Sequence, residues 1–176
     1  MLSDNAKNAL KNIKTIILDI DGVLTDGTIA YDADGREIKY FNARDGHGIK
    51  LAMRAGLKVG LLSGRESEAN KKRAAELGLN FIYENIKDKK NGFLKLLDEH
   101  NINPEECLFA GDDLVDIPPM KMAGFAATVA DAPEYLNEFC DYRSKLPGGK
   151  GAVREIIELI LKEQDKWKQV TEKYFK

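Results

Sequence analysis

The sequence has few cysteines, no long hydrophobic run and no excess of charge of either sign. We interpret the two cysteines, Cys107 and Cys140, as reduced structural thiols without a metal or catalytic role. No apolar run approaches the roughly 20 residues that a membrane span needs, and the first residues lack the hydrophobic region of a signal peptide. We therefore expect a cytoplasmic protein that does not associate with membranes.

The charges are balanced and dispersed, with 27 basic residues against 29 acidic ones and a formal net charge of -2. A nucleic-acid partner is not expected, because the basic residues do not cluster. The 176 residues contain no internal repeat, low-complexity segment or linker. A chain of this length can bury a substantial core. We therefore predict a single domain over residues 1–176, with a C-terminal tail from about residue 163 to residue 176.

Apolar strand-like runs alternate with amphipathic helical patterns, which is typical of a mostly parallel sheet covered on both faces. The predicted fold is α/β, a Rossmann-like three-layer α/β/α arrangement. The predicted strands are residues 15–18, 58–62, 80–83, 107–110 and 126–129. The predicted helices are residues 46–55, 66–77, 89–100, 115–122 and a last helix from about residue 151 into the 160s.

One segment interrupts the alternation after the first strand. Residues 28–31 and 37–41 are extended in character and flank the turn sequence Asp32-Ala33-Asp34-Gly35. This pattern predicts a small β-hairpin insertion over about residues 26–42. No gap between the motifs below is long enough for a separate cap domain, so the site should be open in one subunit. An open site suits either a large substrate such as a phosphoprotein or closure by another subunit.

Two carboxylates, Asp19 and Asp21, follow the apolar run of residues 15–18 and lead into Gly22. They should emerge together at the carboxyl end of a buried strand, where open α/β sheets bind ligands. Such a pair can share a hard cation and act on a phosphate that it holds. A solvated acidic turn is the alternative.

A second acidic cluster has the same organisation, because Gly111, Asp112, Asp113 and Asp116 follow the apolar run of residues 107–110. If the two strands are parallel neighbours, Asp112 completes a set of oxygen ligands with Asp19, and Asp116 lies one helical turn further on. Magnesium favours carboxylates, waters and substrate phosphate oxygens. The sequence therefore predicts a Mg²⁺ site between these strand ends.

Two further strand ends supply groups that could bind phosphate. Ser63, Gly64 and Arg65 stand at the start of a helix, where backbone N–H groups also favour anions; Ser63 as a simple N-cap is the alternative. One of Lys87, Lys89 and Lys90 could neutralise a phosphate, although a lysine in such a run is more often solvated.

These four motifs resemble the haloacid dehalogenase superfamily of phosphotransferases, over about residues 13–161. The resemblance implies that Asp19 is the nucleophile, that Asp21 is the general acid and base, and that Ser63 and Lys89 hold the phosphoryl group. Lys89 matches the superfamily's lysine best by its spacing from Gly111. The resemblance also implies Mg²⁺ ligands from the Asp19 carboxylate, the Asp21 backbone carbonyl and Asp112, supported from outside by Asp113 and Asp116.

Residues 26–27, 41–49, 63–65 and 148–155 resemble, within the superfamily, phosphatases that act on phosphates of 2-keto sugar acids. That resemblance implies a small sugar phosphate substrate, a homotetramer whose neighbouring subunit closes the site, and a lid from residues 148–151. The substrate-contacting candidates are Thr25, Arg44, Asp45, His47 and Arg65. Asp45 as a helix cap, His47 as a partly buried surface residue and residues 148–151 as a plain turn are the alternatives.

The resemblance implies two candidate substrates, and the acidic strand ends leave a third, non-enzymatic function open. An eight-carbon sugar acid phosphate of lipopolysaccharide synthesis is the leading substrate, and a nine-carbon acid of the neuraminate type is the alternative. A non-enzymatic phospho-acceptor switch is more distant, because Asp21 would hasten loss of the phosphoryl group. We expect the C-terminal tail to extend the last helix, pack on a neighbouring subunit or fray.

Overall fold

A six-stranded parallel sheet forms the centre of the chain in a computed structural model, which describes residues 2–176. The strands run in the order β5-β4-β1-β6-β7-β8, and a separate antiparallel pair, β2 and β3, forms a hairpin. Their bounds are β1 Thr15–Leu18, β2 Ala30–Tyr31, β3 Glu37–Ile38, β4 Lys58–Leu62, β5 Phe81–Tyr83, β6 Cys107–Ala110, β7 Phe125–Thr128 and β8 Tyr142–Arg143.

The central strands β1 and β6 are buried at every position, which explains their continuous apolar sequence. They pair in parallel register, with Thr15 opposite Cys107 and Leu18 opposite Ala110. Their carboxyl ends therefore lie side by side. The structure confirms the predicted α/β fold and the neighbouring strand ends on which the predicted metal site depended.

Seven α-helices accompany the strands over residues 2–176. Their bounds are α1 Asp4–Asn12, α2 Ala43–Arg54, α3 Glu68–Leu77, α4 Lys89–Glu99, α5 Ile117–Met122, α6 Ala152–Glu163 and α7 Trp167–Thr171. The buried side chains form a single hydrophobic core, in which Phe93 of α4 meets Phe109 of β6 edge to face. No helix within residues 2–176 is long and apolar enough to cross a membrane.

Capping residues explain where the predicted helix bounds were wrong. Helix α2 begins at Ala43, three residues before the predicted start, because the side chain of Asn42 accepts a hydrogen bond from the Arg44 N–H. Helix α3 begins at Glu68, two residues late, because Ser67 caps it. The predicted helix over residues 115–122 is divided into a 3₁₀ turn, Leu114–Asp116, and α5.

The predicted hairpin is present with shorter strands. Ala30 pairs with Ile38 and Tyr31 pairs with Glu37. The carboxylate of Asp32 accepts hydrogen bonds from the N–H groups of Asp34 and Arg36, which holds the turn. The predicted sequence Asp32-Ala33-Asp34-Gly35 is thus the hairpin turn.

The C-terminal tail folds back on its own chain, an outcome that the sequence reasoning did not include. Asp165, two residues after the end of α6, has a left-handed backbone (φ 56°), and the chain changes direction there. The ring of Trp167 then lies 5.4 Å from the guanidinium of Arg154, and the Tyr174 hydroxyl lies 3.0 Å from Nε2 of His47. Helix α1 and strand β8 were also not predicted.

Candidate active site

Three carboxylates meet at the carboxyl ends of β1 and β6. Asp19 directly follows β1, and its N–H donates to the Ala110 carbonyl at 2.9 Å. Asp112 follows β6 two residues after Ala110, and Asp116 ends the 3₁₀ turn. One oxygen from each of these three side chains lies within 4.8 Å of the others. The sequence placed all three residues at this edge of the sheet.

Asp116 organises the loop that follows β6. Its Oδ2 accepts hydrogen bonds from the N–H groups of Asp112 and Asp113, at 3.1 and 3.2 Å. Asp113 is exposed, and its Oδ1 accepts from the Leu114 N–H and the Tyr135 hydroxyl. Asp116 is fully buried, so it acts on the site by holding other groups rather than by meeting solvent.

Lys89 supplies the positive charge of the cluster. Its Nζ lies 2.9 Å from Oδ1 of Asp19 and 2.6 Å from Oδ1 of Asp116. Burial disfavours the ammonium charge, but the nearby Asp19 and Asp116 outweigh it and raise the pKa of Lys89. Lys87 instead donates to the Gly64 carbonyl, and Lys90 lines a groove beside α5. Of the three candidate lysines, only Lys89 contacts the carboxylates.

The carboxylates carry more negative charge than Lys89 balances. Burial raises the pKa of Asp19, and the charge of Asp116 adds to that effect. Burial likewise raises the pKa of Asp112, followed by the charges of Asp19 and Asp116. Oδ1 of Asp112 is buried and has no hydrogen-bond partner within residues 2–176. A hard divalent cation such as Mg²⁺ fits this donor set, because it needs oxygen ligands and offsets their charge.

Gly22 makes room for this arrangement. Its φ is +94°, and a Cβ placed on it would lie 2.0 Å from Oδ2 of Asp112. A side chain here would therefore push Asp112 out of the cluster as well as strain the backbone.

A cleft of about 230 Å³ opens beside the cluster, where β4 ends. Ser63 is almost fully buried in its wall, and its Oγ accepts a hydrogen bond from the Arg65 N–H at 3.2 Å. The cleft brings Asp19, Asp21, Ser63, Arg65, Lys89 and Asp112 together. These are the residues that the strand-end motifs predicted.

Two charged residues near Asp21 were missed by sequence reasoning. Lys39 Nζ lies 2.6 Å from Oδ1 of Asp21, and Glu37 Oε1 lies 2.5 Å from a terminal guanidinium nitrogen of Arg65. Burial works against the charge of Glu37, but contacts with Arg65 and Lys39 hold its pKa below the usual range. The signal was the alternation of Glu37 and Lys39 with apolar Ile38 and Tyr40 on a predicted strand.

Four predicted substrate contacts lie outside the cleft. The Thr25 hydroxyl donates to the Ile20 carbonyl and accepts from the N–H groups of Gly22 and Gly27, so it ties the turn after β1. The buried Asp45 carboxylate accepts from the N–H groups of Gly151 and Arg154, at 3.2 and 2.7 Å. It therefore caps α6 rather than its own helix.

His47 and Arg44 lie on the surface between α2 and α6. Nδ1 of His47 lies 3.2 Å from the guanidinium of Arg154. Arg44 is exposed beside a second cleft of about 430 Å³ that Arg154 and Glu158 also line. The structure does not bring either residue to the carboxylate cluster.

The predicted lid, residues 148–151, is packed within the chain. The N–H of Gly149 donates to the Val23 carbonyl at 3.0 Å, and a Cβ on Gly148 would lie 1.8 Å from the Gly22 carbonyl oxygen. This segment supports the turn after β1 from behind and does not cover the cleft.

A parallel sheet with an aspartate directly after β1, a serine after β4, a buried lysine and an acidic loop after β6 defines a phosphotransfer site. The family of haloacid dehalogenase-like hydrolases matches residues 44–124 of the chain. The site geometry and this match agree on the superfamily.

Two relatives with similar sequences identify the family within this superfamily. The chain is 42% identical over 157 residues to the 3-deoxy-D-manno-octulosonate 8-phosphate phosphatase KdsC of Haemophilus influenzae, covering 89% of this chain and 87% of the relative. It is 41% identical over 156 residues to KdsC of Escherichia coli K12, covering 89% and 83%. The chain therefore belongs to the 3-deoxy-D-manno-octulosonate 8-phosphate phosphatase family of this superfamily.

Solved structures agree with that family. The phosphatase of Moraxella catarrhalis, in complex with magnesium ion, phosphate ion and a KDO molecule, is 34% identical and superposes with a TM-score of 0.94, covering 97% of this chain and 98% of that one. The cobalt-bound phosphatase of Haemophilus influenzae is 42% identical with a TM-score of 0.87, covering 90% and 93%.

Proposed function

We propose that this enzyme hydrolyses 3-deoxy-D-manno-octulosonate 8-phosphate in a Mg²⁺-dependent reaction. The observation that carries the proposal is the contact of Lys89 with both Asp19 and Asp116 beside Asp112, at the mouth of a cleft that Ser63 and Arg65 also line. The proposed substrate is that of the relatives, which are 3-deoxy-D-manno-octulosonate 8-phosphate phosphatases. We place the reaction in the cytoplasm, in lipopolysaccharide sugar synthesis.

In the first step, a carboxylate oxygen of Asp19 attacks phosphorus and forms an aspartyl-phosphate. The bond from phosphorus to the sugar O8 breaks, and its electron pair stays on the departing oxygen. Asp21 gives that oxygen a proton, so the sugar leaves as an alcohol. The hydrogen bond from the Asp19 N–H to Ala110 holds the nucleophile at the end of β1.

In the second step, a water molecule attacks phosphorus of the aspartyl-phosphate. Asp21, now ionised, takes a proton from the water. The bond between phosphorus and the Asp19 oxygen breaks, which releases inorganic phosphate and restores both carboxyl groups.

Charge on the phosphoryl oxygens must be balanced throughout. We assign Lys89, which contacts Asp19, and the buried Ser63 hydroxyl to hold these oxygens. The Asp19 and Asp112 carboxylates and the Asp21 backbone carbonyl would hold Mg²⁺, which supplies positive charge to the phosphoryl group when bound. Asp116 and Asp113 would keep these groups in place from outside.

The substrate carboxylate needs a cation, and Arg65 is the candidate in the cleft. The hairpin is too small to cover the cleft, so we propose a homotetramer in which a neighbouring subunit closes it. We assign Thr25, Asp45 and His47 to structural support, because their polar atoms are engaged within the chain.

Phosphate release from 3-deoxy-D-manno-octulosonate 8-phosphate, measured with Mg²⁺ and with a chelator, tests the proposal. We expect rapid release only with Mg²⁺, and a strong preference over N-acylneuraminate 9-phosphate and an aryl phosphate. A preference for N-acylneuraminate 9-phosphate would instead support the alternative, a phosphatase of nine-carbon sugar acids. A long-lived phosphorylated protein without turnover would favour the phospho-acceptor switch. Light scattering of the purified protein tests the tetramer.

A further inference from the structure

Four side chains of alternating charge form a closed ring beside the cleft, which we call the charge ring: Asp21, Lys39, Glu37 and Arg65. Lys39 Nζ lies 2.6 Å from Oδ1 of Asp21 and 3.6 Å from Oε2 of Glu37. The guanidinium of Arg65 contacts Glu37 on one side, and its Nε lies 3.7 Å from Oδ2 of Asp21 on the other.

Lys39 is the most buried member of the ring, with a side chain that is 2% exposed, whereas Asp21 is 23% exposed. A buried ammonium group is costly unless it is paired and hydrogen-bonded. Within residues 2–176, the only hydrogen bond that Nζ of Lys39 donates goes to Oδ1 of Asp21. Asp21 is therefore the hydrogen-bond partner that compensates the buried charge of Lys39.

The hairpin brings Lys39 to the same face as Glu37. Glu37 lies on β3 and Lys39 follows two residues later, so both side chains point to one face. Ile38 and Tyr40 point to the other face and are exposed. The hydrogen bonds of Asp32 close the turn. The ion pairs of Lys39 with Asp21 and of Glu37 with Arg65 hold this face of the hairpin against the cleft.

We infer that Lys39 is a positioning residue that fixes the Asp21 carboxyl group for proton transfer. This inference rests on the proposed function. The Lys39 ammonium group donates to Oδ1 of Asp21. Oδ2, which lies 3.7 Å from Nε of Arg65 and accepts no hydrogen bond within residues 2–176, remains for the chemistry. Oδ2 then gives its proton to the sugar oxygen in the first step and takes one from water in the second.

The two steps make different demands on the substrate. A sugar alcohol is a poor leaving group and needs the proton from Asp21, whereas p-nitrophenolate leaves as a stable anion. Hydrolysis of the aspartyl-phosphate involves no leaving group from the substrate, so it needs Asp21 equally with either compound. Loss of a residue that only binds the sugar would not slow the second step. Loss of a residue that only supports the fold would slow the first step equally for both compounds.

Lys39→Met tests the inference with 3-deoxy-D-manno-octulosonate 8-phosphate and p-nitrophenyl phosphate as substrates. We expect kcat/KM for the sugar phosphate to fall about 100-fold, and kcat/KM for p-nitrophenyl phosphate to change less than about threefold. The slower second step should appear as a burst of p-nitrophenol, stoichiometric with enzyme, before a low steady rate. Lys39→Arg should restore most of the sugar phosphate activity.

Arg36→Met is the matched control, because Arg36 is an exposed cation on the same hairpin whose partners are Asp32 and Asp34. It should leave both rates and the burst at their wild-type values. If Lys39→Met does not fold, Glu37→Gln/Lys39→Met removes the partner charge as well. Because Glu37 also contacts Arg65, the burst with p-nitrophenyl phosphate is then the deciding measurement.

Equal losses of kcat/KM on both substrates without a burst would overturn the inference, as would unchanged kinetics. Failure of the wild-type enzyme on the sugar phosphate would instead count against the proposed substrate. In that case the burst with p-nitrophenyl phosphate still tests Lys39, because the second step does not depend on which sugar leaves.

Discussion

Lys89 and Asp19 form a buried ion pair, with Nζ 2.9 Å from Oδ1 and side chains that are 3% and 8% exposed. Lys89 also contacts Asp116, so one ammonium group faces two carboxylates from different strand ends. Removing one partner of a buried pair leaves an uncompensated charge, which is more damaging than the pair is stabilising.

Lys89→Met should lower turnover of the sugar phosphate by about 10²- to 10³-fold, because one donor to the developing phosphoryl charge is lost. Saturating Mg²⁺ should not restore the rate. The measurement is kcat in steady state, with the free energy of unfolding from urea titration as a check on folding. Lys87→Met, at an exposed lysine that contacts the Gly64 carbonyl, should stay within about threefold of wild type. A fall in turnover for both variants alike would contradict the assignment of Lys89.

Magnesium should raise the thermal unfolding midpoint of the wild-type protein, because the ion binds the folded carboxylate cluster and not the unfolded chain. At about 100 times its dissociation constant the gain is about 2.7 kcal/mol, or several degrees for a chain of this size. Asp112→Asn should abolish most of this shift. Asp98→Asn, at a carboxylate on α4 away from the cluster, should keep it. Calorimetry with Mg²⁺ and with chelator separates these outcomes, and a full shift in Asp112→Asn would exclude Asp112 as a ligand.

Asp45→Ala should destabilise the protein by about 2–3 kcal/mol, since the buried N–H groups of Gly151 and Arg154 both lose their acceptor. Ser3→Ala, which removes the single N-cap hydrogen bond of α1, should cost about 1 kcal/mol. Urea titration of the three proteins measures both differences. If Asp45→Ala lowers the free energy of unfolding no more than Ser3→Ala does, the Asp45 carboxylate is not an important cap of α6.

The stability contribution of Asp45 should depend on pH in the direction opposite to that of a typical carboxylate. Burial raises its pKa, against the hydrogen bonds from Arg154 and Gly151. The folded protein therefore keeps this proton to a higher pH than the unfolded chain, where the pKa of Asp is about 3.9. Stability from this group is complete below the unfolded value and is lost as pH rises through the folded pKa.

The free energy of unfolding of wild type minus that of Asp45→Asn should accordingly shrink as pH rises above about 4 and then become constant. Urea midpoints over a pH series measure it. The difference between Asp45→Asn and Asp45→Ala should not vary with pH, because neither has a carboxyl group at this position. A wild-type advantage that grows with pH would contradict the raised pKa.

Most of the sheet could be predicted from the sequence because its strands are continuous apolar runs. Asp19 and Ser63 stand directly after such runs and Asp112 two residues after one, so their place at the carboxyl edge of the sheet could be predicted. That β1 and β6 are neighbours is a finding of the structure. Lys89 was the preferred lysine on its spacing from Gly111, and its contacts with Asp19 and Asp116 agree with that choice. The roles assigned to these residues stay predictions until the variants are measured.

The residues that escaped prediction act across long sequence separations. Asp45 was expected at the substrate because it follows Arg44 in a motif, yet its acceptors serve a helix more than a hundred residues later. No role was predicted for Lys39, which lies on a short hairpin. Strand β8 has two residues, too few for a periodic pattern. In each case the partner is defined only by the tertiary fold, which local patterns do not contain.

Gly22 and Gly148 have a consequence for how this protein can vary. A methyl group on Gly22 would overlap Asp112, and one on Gly148 would overlap the Gly22 carbonyl. The loop of Asp112, the turn at Gly22 and the segment at Gly148 therefore pack so closely that each glycine has room for a hydrogen atom but not for a methyl group. In a library of all single substitutions, these two positions should tolerate no replacement, although neither bears a functional group. The position of Asp112 in the cleft thus depends on two residues that have no side chain.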